Sequence, residues 1–100
     1  MTQPIMTDVS ATVDAEREAE LVRGFREITT GDTPDGLLRT ELLRGPHGQW
    51  RIQTLWRDRA ALDSMRRGPE PPVAPRLFRQ VGAEPSLEVY EVAHSLAVAG

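Results

Sequence analysis

The chain contains no cysteine, no lysine and no asparagine. Without cysteine it can form no disulfide, offer no thiolate to a metal and supply no cysteine nucleophile. All twelve basic side chains are therefore arginines, set among fifteen acids for a net charge of −3. The arginines alternate with acids and never form a run, so no nucleic-acid surface is expected. No apolar stretch approaches the ~20 residues of a membrane-spanning helix, and no membrane partner is expected. The opening MTQPIMTDVS has neither a basic region nor an apolar core. A secretory leader is not expected there, and the cytoplasm is the expected compartment. The two histidines, His47 and His94, lack the spacing of a metal pair, and no acid cluster suggests a hard cation. The glycines form neither a GxGxxG turn nor a phosphate loop, and no serine sits in a GxSxG elbow.

What remains is a chain of 100 residues with 39% apolar and 27% charged content, the balance of a folded domain. One domain is expected over residues 1–100, with a core from about residue 5 to 94 and loose ends. The most informative stretch is Trp50–Met65, WRIQTLWRDRAALDSM. Trp50, Ile52, Thr54 and Trp56 alternate with Arg51, Gln53 and Leu55, as on a strand with one covered face. Asp58 then caps a helix running to about Arg67, with Ala61, Leu62 and Met65 inward. Trp56 thus stands where a strand meets a helix start. It is either a pocket wall or a core tryptophan.

Elsewhere, Ile5–Val13 reads as a strand with Val9, Ala11 and Val13 on one face. Asp14 is the expected cap of a helix whose inner stripe is Ala15, Ala19, Val22, Phe25 and Ile28, closed by a left-handed Gly31. Leu37–Arg44, bracketed by Gly36 and by Gly45–Gly48, reads as a strand, and a hairpin joins it to Gln49–Arg57. Pro75 starts a short third helix with Leu77, Phe78 and Val81 inward. Leu87–Ala93 is the last strand. The order β α β β α (α) β implies an α+β ferredoxin-like split βαβ fold, a four-stranded antiparallel sheet with helices on one face. The uncovered sheet face suggests two copies packing into a barrel-like homodimer; the alternative is a monomer with a wet sheet.

Pro34-Asp35-Gly36-Leu37, the hairpin, Trp56-Arg57-Asp58 with Ala60-Ala61-Leu62, and Pro85 before Val89-Tyr90-Glu91-Val92 resemble the antibiotic biosynthesis monooxygenase domain. The resemblance spans roughly Val9–Val92. It implies a dimeric α+β barrel with a pocket between sheet and helices in each subunit. It also implies a cofactor-independent monooxygenase that takes dioxygen and an aromatic, polyketide-derived substrate of anthrone or quinol type. A cyclase or isomerase of the same fold, or a non-catalytic ligand-binding barrel, are the alternatives. The haem-degrading branch uses Asn, Trp and His; of these only Trp56 has a counterpart here, and the helix carries no histidine, which argues against haem as a substrate.

On this reading Trp56, Tyr90 and Arg66 are the candidate catalytic residues, and no cofactor or metal is called for. Trp56 would wall the pocket. Tyr90, on the strand face of Glu88 and Val92, could donate to a phenolate, or could simply be a half-wet strand residue. Arg66 or Arg67 could face an oxyanion, or could complement the helix dipole. Ile52, Thr54, Phe25, Met65 and Phe78 are the expected pocket lining. His47, in the hairpin turn, and His94, near the C-terminus, are weaker candidates for a base.

Overall fold

The structure, a computed structural model, describes residues 3–98. Met1, Thr2, Ala99 and Gly100, part of the expected loose ends, lie outside the described residues. The elements are β1 (Ile5–Thr12), α1 (Glu18–Thr29), β2 (Leu37–Arg44), β3 (Gln49–Trp56), α2 (Arg59–Arg67), α3 (Val73–Gln80) and β4 (Ser86–Glu91). The strands form one antiparallel sheet in the order β2-β3-β1-β4. This is the expected α+β ferredoxin-like arrangement, and all the expected elements are present.

Alternation decides which side chains meet the helices. Ile5, Thr7 and Val9 of β1 lie in register with Trp56, Thr54 and Ile52 of β3, and this face is buried. The register of β2 with β3 is regular from the hairpin back to Arg39, which sets Thr40 against Thr54, and slips between Arg39 and Leu37, a bulge that sets Leu37 against Trp56. Asp58 caps α2, its carboxylate accepting a hydrogen bond from the Ala61 amide at 2.9 Å. Gly36 has φ +86, and a Cβ there would collide with that of Ala61. Glycine at this position lets the loop before β2 close against α2.

Three local expectations are corrected. Asp14 makes no side-chain cap; Ala15–Arg17 form a 3-10 turn and α1 begins only at Glu18. That turn shifts the helix phase, so Ala15 and Ala19 face solvent while Leu21 is buried, with Val22, Phe25 and Ile28 partly so. Gly31 is not left-handed. The Thr29 and Thr30 hydroxyls close the helix instead, donating to the carbonyls of Phe25, Arg26 and Glu27. Finally, α3 starts at Val73, two residues before Pro75.

The core falls into two clusters. The larger joins α1 and α3 to the sheet through Leu21, Trp50, Ile52, Leu77 and Phe78. Arg44 stacks over the Trp50 ring at 4.7 Å, and Glu18 accepts from the Trp50 indole nitrogen at 2.8 Å. The smaller cluster joins α2 to one end of the two central strands through Ile5, Trp56, Ala61 and Leu62. On the other sheet face, Asp8 is only 5% exposed. One of its oxygens accepts from Arg51 at 2.8 Å and the second has no hydrogen-bond partner among the described residues.

Candidate functional site

Between the two clusters the sheet and the helices part, leaving a hollow of about 500 Å³. Its floor is the sheet: Thr7 and Val9 of β1, Ile52, Thr54 and Trp56 of β3, and Leu37 and Thr40 of β2. Its roof comes from Phe25 and Ile28 of α1, Leu62 and Met65 of α2, and Val73 and Ala74 of α3. Two proline-bearing segments form the rim, Asp32–Pro34 and Gly68–Pro72. Proline fixes φ, so these segments make a stiff edge.

Most of the lining is apolar, which makes its few polar groups informative. Thr7, Thr54 and Thr40 are direct cross-strand neighbours and form a row of hydroxyls across the floor. The Trp56 indole nitrogen donates to the Thr7 hydroxyl at 3.2 Å, and that hydroxyl donates to the Thr54 carbonyl at 3.4 Å. The Thr40 and Thr54 hydroxyls lie 2.9 Å apart. Trp56 is only 4% exposed yet borders the hollow, so it is both core and wall. With its N–H already engaged, it offers a ligand its ring and not a hydrogen bond.

The charged lining residues are Arg66, Asp32 and Glu70. Arg66 is exposed in the last turn of α2, and no ion pair forms to it among the described residues. It is a cation at the edge of an apolar space, free to meet a ligand. Asp32 and Glu70 are exposed carboxylates on the two rim segments.

Of the residues singled out in the sequence, Trp56, Arg66, Thr54, Ile52, Phe25 and Met65 come together around the hollow. Two do not. Phe78 is fully buried in the larger core cluster, because α3 turns it inward beside Leu77. Tyr90 is opposite Met6 in register, on the sheet face away from the helices, and is 51% exposed. Neither borders the hollow, and nor do Arg67, His47 or His94. Sequence reading missed Thr7, Thr40 and the rim acids. Thr40 had a signal: counting back from the hairpin places it beside Thr54, provided that the register is kept.

Likeness to known proteins agrees with this geometry. The family model for antibiotic biosynthesis monooxygenases matches residues 4–70, from the start of the first strand to the rim segment after α2. The chain belongs to the antibiotic biosynthesis monooxygenase family. Three solved structures show how widely this family's fold is shared. A candidate antibiotic biosynthesis monooxygenase from Deinococcus radiodurans is 17% identical, with a TM-score of 0.74 over 96% of this chain and 99% of that one. The heme-degrading protein Rv3592 of Mycobacterium tuberculosis is 24% identical, with a TM-score of 0.72 over 100% of both chains. SnoaB, a cofactor-independent oxygenase from Streptomyces nogalater, is 17% identical, with a TM-score of 0.65 over 94% and 97%. No curated protein matches the sequence. Likeness at these identities concerns the fold; the chemistry must be argued from this chain's own hollow.

Proposed function

We propose that this protein is a cofactor-independent monooxygenase of a small aromatic molecule of anthrone or quinol type. The observation behind the reading is the apolar hollow of about 500 Å³ with the Trp56 ring in its wall and one unpaired guanidinium, Arg66, at its edge. A flat polycyclic phenol or anthrone fits such a space, with its rings against Trp56, Phe25 and Ile52. Removal of a proton from the substrate gives an electron-rich anion. That anion transfers one electron to dioxygen, the resulting carbon radical and superoxide combine to form a carbon–oxygen bond, and the peroxide anion takes a proton back to give the hydroperoxide. Loss of water from the hydroperoxide leaves a new carbonyl, so an anthrone and O₂ become an anthraquinone and H₂O. The substrate supplies both electrons needed to reduce the second oxygen atom to water.

The protein's part is to exclude water, orient the ring and favour the anion. Arg66 lowers the cost of forming negative charge on the substrate oxygen. Haem is a poor candidate substrate, since no histidine, cysteine or tyrosine is among the residues lining the hollow. The test is oxygen uptake with a panel of anthrones and naphthols. The wild-type protein should consume oxygen above the buffer rate with at least one member. Trp56→Phe, which keeps a smaller ring but drops the bond to Thr7, should be slower by about 2- to 10-fold, the worth of one aromatic contact. Equal, background-level uptake by both proteins would remove the oxygenase reading.

The same reading has two copies pairing through the open sheet face. Met6, Leu43, Leu55 and Tyr90 share that face with the Asp8–Arg51 pair. Exposed Tyr90 and Leu43, together with the unpartnered oxygen of Asp8, favour a covered surface. Tyr90 then belongs to the subunit contact and not to the site. Sedimentation equilibrium should give twice the chain mass, and Tyr90→Asp together with Leu43→Asp should give a monomer. A wild-type protein that sediments as a single chain at micromolar concentration would rule the pairing out.

A further inference from the structure

We propose that the Thr40–Thr54 hydroxyl pair is the subsite that holds an acceptor oxygen of the ligand, a carbonyl or an ionised phenol on a flat aromatic frame. This rests on the reading of the hollow as a small-molecule site. Each threonine hydroxyl has one hydrogen to give and two lone pairs to receive. On the floor of the hollow, Thr7 is engaged in both senses: it accepts from the Trp56 indole and donates to the Thr54 carbonyl. The indole N–H is spent in the same exchange.

Thr40 and Thr54 differ. Their hydroxyls face each other at 2.9 Å, and either can be the donor. One hydrogen bond between two hydroxyls uses one hydrogen. The other hydroxyl hydrogen has no acceptor among the described residues. Thr54 is buried and Thr40 partly so, and both border the hollow. A buried hydroxyl with an unspent hydrogen is costly until something accepts it. The neighbouring floor residues Val9, Ile52 and Leu37 offer nothing polar in their side chains. A ligand lying on this floor therefore meets one available side-chain donor, and the group that satisfies it is an acceptor such as a carbonyl or phenolate oxygen. Arg66 supplies charge from the edge; the threonine pair supplies position. The row depends on the unbroken register from the hairpin back to Arg39, which places Thr40 beside Thr54 on the floor.

The experiment compares two probes under anaerobic conditions, anthrone and 9,10-dihydroanthracene, which share a frame and differ by the carbonyl oxygen. Dissociation constants are measured by equilibrium dialysis against the wild-type protein, Thr40→Val/Thr54→Val and Thr40→Ser/Thr54→Ser. The wild-type protein should prefer anthrone by about tenfold, the worth of one buried hydrogen bond. The double valine variant should lose that preference while binding dihydroanthracene as well as the wild type does, and the double serine variant should keep it. The infrared carbonyl band of bound anthrone gives a second reading, which needs no variant: it should lie at lower wavenumber than that of anthrone in hydrocarbon solvent. Equal binding of both probes by the wild type, an unshifted band, or a preference that survives the double valine change would overturn the subsite and leave the hollow standing. Failure of the wild type to bind either probe would remove the hollow's role as a ligand site, and the subsite with it.

Discussion

Phe78→Ala should destabilise the protein by about 3–5 kcal/mol, the range for an aromatic ring deleted from a packed core. Phe78 is fully buried and packs with Leu21, Leu77 and Trp50 in the cluster that ties α1 and α3 to the sheet. Truncation removes its buried apolar area and leaves a void that these neighbours cannot all close, because they are held by two helices and a strand. A domain of this size has a total stability of only about 5–15 kcal/mol, so the variant should sit near its unfolding threshold at 25 °C. Urea denaturation is the direct measurement. A loss below about 1 kcal/mol would mean that α3 is loosely attached and that the core assignment of Phe78 is wrong.

Arg66→Met should do the opposite, leaving stability within about 0.5 kcal/mol while lowering turnover of an anthrone by about 10- to 100-fold. Methionine retains much of the side chain's length and apolar stem but removes the charge. The side chain is exposed and no ion pair holds it among the described residues, so the fold has little to lose. The expected loss of activity is set below the 10²–10³-fold typical of a buried oxyanion donor, since solvent at the rim weakens the interaction. Arg66→Lys should recover part of the rate by restoring charge. If Arg66→Met turns over as fast as the wild type, then the guanidinium serves only the dipole of α2.

The contrast between these two residues shows how far the sequence could be read. The strand Gln49–Trp56 was legible because its buried positions, Trp50, Ile52, Thr54 and Trp56, recur at every second residue between exposed or half-buried ones. The cap at Asp58 and the start of α2 were legible because capping is a local event. Phe78 was placed correctly on the inner face of α3, but an inner face can meet either a cavity or solid packing. Only the tertiary arrangement decides which, and here the neighbours are Leu21 and Trp50. Tyr90 failed for a related reason. In β4 both faces carry apolar groups, Leu87 and Val89 on one and Tyr90 on the other, so alternation alone could not say which face meets the helices. The register with β1, Val89 beside Thr7 and Tyr90 beside Met6, settles it.

The first helix illustrates a phase error. The spacing of Ala15, Ala19 and Val22 suggested a stripe continuous from Asp14, yet the 3-10 turn at Ala15–Arg17 rotates the rest of the helix and makes Leu21 the buried anchor. Alanine says little about which way a helix faces, and the single buried leucine outweighs two of them. The hollow itself arises from a property that no single element reveals. Two clusters, one built on Phe78 and the other on Trp56, flank the threonine row, which is buried yet borders the hollow.

The central claim is that oxygen from dioxygen enters an aromatic substrate with the polypeptide alone as catalyst. The most direct measurement is mass spectrometry of the product after turnover of anthrone under ¹⁸O₂, with protein freed of metals by chelator and dialysed against metal-free buffer. The account predicts an anthraquinone carrying one labelled oxygen, formed well above the rate without protein and slowed in Trp56→Phe. A product formed no faster than without protein, or one whose new oxygen comes from water, would contradict it.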